Sequence, residues 1–106
     1  MRIILSLLLL LLSSGFVRAA KVDTIAVHSA AMNKSIKTVV IQPEGSKKKD
    51  LPTLYLLHGY SGNYADWVNK APVIKDLADQ YGILIVCPDG GFGSWYWDSE
   101  IDQNFK

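Results

Sequence analysis

Residues 53–87 read as strand, helix, strand, and that order limits the possible folds more than any other feature of this 106-residue chain. Pro52 precedes an apolar run from Thr53 to Leu57. Pro72 then opens an amphipathic stretch ending at Tyr81, with Val73, Ile74, Leu77, Ala78 and Tyr81 on one stripe and Gly82 where a helix end favours a left-handed residue. Ile83 to Cys87 follows as a strand with no polar position. A strand that is apolar on both faces belongs in a parallel sheet with helices over it. If no further strands were added, it would be an uncovered edge or a half-covered face.

Upstream, Val22 to His28 mixes apolar and polar residues at roughly period two, and Ile36 to Ile41 is rich in β-branched residues. With Met32-Asn33-Lys34 between them, they predict an antiparallel hairpin, stopped by Pro43, Gly45 and Ser46. Tyr64 to Val68 predicts a short helical turn, and Pro88 to Lys106 reads as loop. The expected class is α/β: a β-hairpin leading into a mostly parallel sheet flanked by helices, without internal repeats or a domain boundary.

Not all of the 49% hydrophobic content belongs to this core. Met1-Arg2, the apolar run Ile3 to Leu12 and the small-residue exit Ser13 to Ala19 have the order of a secretory signal peptide. Val17 and Ala19 occupy the small-residue positions, so cleavage is expected after Ala19, or failing that after Ala20. The alternative is a membrane anchor, but the apolar run falls well short of the roughly 20 residues that span a bilayer. A secreted or periplasmic protein without a stable membrane anchor follows. Loss of Arg2 and Arg18 takes the formal charge from +1 to −1. The one charge run, Lys47-Lys48-Lys49, reads as a solvated loop, so no nucleic-acid partner is expected. Cys87 has no internal disulfide partner and sits among apolar residues, as a buried small side chain does.

Chemistry points to the end of the third strand. There Leu56-Leu57 gives way to His58-Gly59-Tyr60-Ser61-Gly62-Asn63, a loop in which Gly59 and Gly62 permit backbone angles that a side chain would forbid. A backbone amide left free at the carboxyl end of a buried strand can point at a developing negative charge, which makes the loop half of an oxyanion hole. The bland reading is an ordinary strand-to-helix turn.

His58-Gly59-Tyr60-Ser61-Gly62, the following Trp67, and Pro88-Asp89-Gly90-Gly91-Phe92-Gly93-Ser94-Trp95-Tyr96-Trp97-Asp98 resemble the putative-esterase branch of the α/β-hydrolases. That branch includes esterase D, feruloyl and acetyl-xylan esterases and the mycolyltransferases. The resemblance covers residues 20–106 and implies the N-terminal portion of a serine carboxylesterase domain, incomplete as it stands. It implies that the Tyr60 N–H is one oxyanion donor, that His58 and Gly59 are structural neighbours of the site, and that neither a cofactor nor a metal is needed. No Gly-x-Ser-x-Gly elbow occurs, so the serine, acid and histidine of the triad are expected beyond Lys106. His58 precedes any nucleophile and does not fit the triad histidine.

Trp95, Tyr96 and Trp97 fall at the same sheet edge as the oxyanion loop, with Trp95 and Trp97 the candidate substrate contacts. They line a substrate pocket in one reading and pack the loop onto the domain in the other. Asp89, Asp98, Glu100 and Asp102 lack the spacing of a calcium loop and read as solvated carboxylates or caps. The implied substrate is a small-molecule or carbohydrate ester. The alternatives are an acyltransferase of the same fold and a non-catalytic module that binds a sugar or peptide.

Overall fold

The structure is a computed structural model that describes residues 19–46, 50–98 and 100–101. The expected leader up to residue 18, the Lys47-Lys48-Lys49 run and Asp102 lie outside the described residues. The two N-terminal strands, β1 (Lys21–Ser29) and β2 (Lys34–Gln42), form the expected antiparallel hairpin, with Lys21 opposite Gln42 and Ser29 opposite Lys34. After β3 (Thr53–Tyr55) come helix α1 (Asp66–Lys70), helix α2 (Ile74–Tyr81) and β4 (Leu84–Pro88).

The sheet order is β1-β2-β4-β3. β4 runs parallel to β3 and antiparallel to β2, so the chain passes from β3 through the helices to insert β4 between β3 and the hairpin. Gly82 closes α2 in the left-handed conformation, at φ +60°.

The register decides which side chains form the core. Val39 faces Cys87 and Ile41 faces Ile85 across β2 and β4, and α2 lays Ile74 and Ala78 against them. These six side chains are the buried apolar core. Burial pushes the Cys87 thiol above its usual range, so Cys87 stays protonated and unreactive.

Two features differ from the sequence reading. Only Ile74 and Ala78 of the α2 stripe are buried; Val73, Leu77 and Tyr81 are exposed, because the short helix touches the sheet along a single line. In β4, Ile85 and Cys87 are buried while Leu84 and Val86 are half-buried, so one face is fully covered and the other only in part. β4 is nevertheless an interior strand. The edges are β1 and β3. No helix among the described residues is long and apolar enough to cross a membrane.

Candidate active site

The topology brings the two loops singled out in the sequence together. β3 and β4 are parallel neighbours, so the chain leaves both at one edge of the sheet. The pairing runs one residue past β3, with the Leu56 N–H donating to Val86 O at 2.9 Å. Leu57 O then accepts Trp67 Nε1–H at 3.1 Å, tying the departing chain to α1.

His58 comes next, and it is buried. Its Nε2 lies 2.9 Å from the Gly90 N–H and must accept from it. A ring with Nε2 as acceptor carries its proton on Nδ1, and Nδ1 sits 2.8 Å from Gly59 O, to which it donates. The hydrogen bonds thus select a neutral imidazole in one tautomer. Asp89 Oδ1 stands 3.5 Å from Nε2 and accepts the Gly91 N–H at 2.8 Å.

Gly59 O also accepts the Gly62 N–H at 3.1 Å. A trans peptide is planar, so the Gly59 C=O and the Tyr60 N–H point opposite ways from one rigid plate. Two donors gripping the Gly59 oxygen therefore turn the Tyr60 N–H outward. The N–H groups of Gly59 and Tyr60 have no acceptor among the described residues.

Residues 59–62 form a β-turn closed by the Gly62 bond, with Ser61 at φ +61°, the value that the third position of a type II turn requires. The sequence reading assigned the unusual backbone angles to Gly59 and Gly62. The structure places them at Ser61, and neither glycine has φ in the left-handed region. The Ser61 N–H donates to Phe92 O at 2.8 Å, offsetting part of the roughly 1–2 kcal/mol that a left-handed non-glycine residue costs.

Gly62 is required for a different reason, namely space. A Cβ there would lie 2.6 Å from Asp66 Oδ2 and 3.0 Å from both Gly59 O and His58 Nδ1. Asp66 is itself held by Lys70 Nζ at 2.7 Å, and the hydrogen bond from that ammonium keeps its carboxyl below the usual range.

The second loop contains a more strained turn. The Trp97 N–H donates to Ser94 O at 2.9 Å, and both central residues, Trp95 and Tyr96, have φ +54°. This is the type I′ pattern, usually supplied by Asn-Gly, and left-handed aromatic residues cost about 1–3 kcal/mol each. Tertiary contacts hold the turn. The Trp95 ring stacks on Tyr60, with centroids 5.9 Å apart, and Phe92 meets the same Tyr60 ring edge-on at 5.2 Å.

Tyr96 points inward. Its Oη accepts the His58 N–H at 3.0 Å and donates to Pro88 O at 3.2 Å. Burial, reinforced by the Asp89 charge, pushes the phenol up against the opposing pull of the His58 amide. Tyr96 therefore keeps its proton and makes both bonds.

Trp95 lines a cavity of about 110 Å³ with His58, Gly59, Tyr60 and Phe92. Trp97 does not reach it and instead lines an open groove of about 1260 Å³ with Met32, Lys37 and Phe92. Both tryptophans are exposed, at 74% and 70%, whereas Tyr96, which the sequence reading grouped with them without giving it a separate role, is 38% exposed and turns its hydroxyl inward. The available signal was the hydroxyl, since a phenol both donates and accepts where an indole only donates. Among the described residues, no group of three or more His, Cys, Asp or Glu side chains is placed to hold a metal.

Residues 29–106 match the family described as putative esterase. Over 71 residues the chain is 38% identical to an acetyl esterase of Caldicellulosiruptor saccharolyticus, covering 62% of this chain and 26% of that protein. Among solved structures, a ferulic acid esterase superposes with a TM-score of 0.59 at 29% identity, covering 68% of this chain and 32% of the other. An S-formylglutathione hydrolase from Staphylococcus aureus shares the fold with a TM-score of 0.58 at 23% identity, over 66% and 30% of the two chains. The chain thus spans about a quarter of the length of the curated relative and about a third of these structures.

Proposed function

The chain belongs to the putative-esterase family of the α/β-hydrolases, and on that premise we propose that the complete protein is a serine carboxylesterase to which residues 58–62 contribute one half of the oxyanion hole. The observation that carries the reading is the pair of uncommitted amides at Gly59 and Tyr60, with the Tyr60 N–H aimed by the grip on the Gly59 carbonyl. In this scheme a serine beyond Lys106 gives its hydroxyl proton to the triad histidine as it attacks the ester carbonyl carbon, and the carbonyl π electrons move onto oxygen. The Tyr60 N–H donates to that oxyanion beside a second amide following the serine. Collapse expels the alcohol, which takes a proton from the triad histidine, and water then releases the acid from the acyl-enzyme. The proposed substrate is a small acyl ester or a carbohydrate-linked one, with Trp95 at the mouth of the cavity and Trp97 on the neighbouring groove.

The complete protein is expected to hydrolyse aryl acetates and to lose that activity on treatment with a serine-directed phosphonate. Peptide mapping should place the label on a serine beyond Lys106. Labelling of Ser61, or full activity without any label, would overturn the assignment. Absence of both turnover and label would favour a binding module built around the exposed tryptophans.

We also propose export, on the basic, apolar, small-residue order of residues 1–19. Protein recovered from a secreting host is expected to have an intact mass beginning at Ala20. A product retaining Met1 in the cytoplasm would rule export out.

A further inference from the structure

We propose that Tyr96 is a positioning residue for ester hydrolysis, its hydroxyl latching the His58 backbone to the β4 loop and thereby setting the aim of the Tyr60 amide. The inference rests on the esterase reading above. His58 is held at three points: its N–H by Tyr96 Oη, its Nε2 by the Gly90 N–H and its Nδ1 by the Gly59 carbonyl. Two of the three reach the second loop, and the Tyr96 bond is the one made by a side chain of that loop. Because the hydroxyl also donates to Pro88 O, at the last residue of β4, it ties the start of the first loop to the sheet.

The surroundings are shaped to place this ring. A Cβ on Gly90 would collide with the Tyr96 ring, so the glycine makes room for it. The ring lies 5.2 Å from the imidazole at an angle of 53°. The Trp95-Tyr96 turn takes two left-handed aromatic residues to bring the phenol inward, a strain that surrounding structure must impose. If packing alone were needed, phenylalanine would serve and the hydroxyl would be idle. Instead the hydroxyl makes two bonds, and without it the His58 N–H and Pro88 O lose their partner. His58 would then be free to tilt, carrying with it the peptide plate that presents the Tyr60 N–H.

The test is Y96F in the complete protein, assayed with an aryl acetate and normalised to active sites titrated with phosphonate, so that lost folded protein does not imitate lost catalysis. The expected result is a fall of about tenfold or more in kcat per titrated site, with KM changed by no more than about twofold. A trifluoromethyl ketone, whose serine adduct places an oxyanion where the Tyr60 amide points, should bind more weakly by the same factor as kcat/KM. An unchanged kcat and ketone affinity with only a lower Tm would overturn the proposal, as would a rise in KM alone. A Y96F protein without titratable sites would assign Tyr96 to folding and likewise overturn it. If the unsubstituted protein neither turns over ester nor titrates, the esterase reading fails and this inference with it. An active parent with an equally active Y96F sinks this inference alone.

Discussion

If the complete protein is the esterase proposed above, replacing Gly62 with alanine is expected to lower its kcat on the order of 100-fold, the usual cost of losing one oxyanion donor. The new methyl group would enter the space between Gly59 O and His58 Nδ1, 3.0 Å from each, with Asp66 Oδ2 closing the third side at 2.6 Å. None of the three gives way easily. Gly59 O is backbone, the imidazole is buried between two loops, and Asp66 would have to leave Lys70. The substitution therefore strikes the hydrogen bond that aims the Tyr60 N–H. It should also destabilise the loop by about 1–3 kcal/mol, as overpacking does. Gly59→Ala provides the contrast, because a Cβ there meets nothing within 4 Å and φ is not left-handed. Its cost should stay below about tenfold, since every backbone group that makes the turn survives. Steady-state kinetics on the two variants, with thermal melts to separate catalysis from stability, checks this. Equal losses at the two positions would mean that the loop is sensitive to any side chain, and that the Gly59 carbonyl does not set the amide.

The hairpin, the two helical stretches and the parallel pair were legible because their periodicities are local, and the His58-Gly59 and Asp89-Gly90 loops because topology alone puts them at one sheet edge. Other features depend on contacts distant in sequence. Ser61 takes the left-handed conformation because its amide reaches Phe92 across 31 positions, and no local rule would choose serine over the two glycines beside it. The Tyr96 bond to His58 spans 38 positions, and the strained Trp95-Tyr96 turn contradicts its own local preference. Such conflicts between local propensity and tertiary demand gather at functional sites. The α2 stripe failed for a simpler reason: Val73, Leu77 and Tyr81 are apolar at helical spacing, but the described sheet does not reach them.

That unburied surface supports the second large expectation: residues 20–106 expressed by themselves should associate in solution and melt without a sharp transition. The described core amounts to six apolar side chains on one face of a four-stranded sheet. The other face is open at both ends, with Ile25 and Val27 on the hairpin 46% and 47% exposed and Tyr55 on β3 65% exposed. β1 is a nine-residue edge strand, almost every residue of which is exposed, and β3 forms the opposite edge with Leu54 exposed beside Tyr55. Unpaired edges next to apolar faces recruit further strands, from another copy if from nowhere else. A domain of this size is marginal even when both sheet faces are covered, burying only around 60% of its unfolded surface. Size-exclusion chromatography with light scattering should find species larger than the monomer, and a fluorescent apolar dye should bind before heating. A monomer with a sharp two-state melt and no dye binding would show that one covered face suffices.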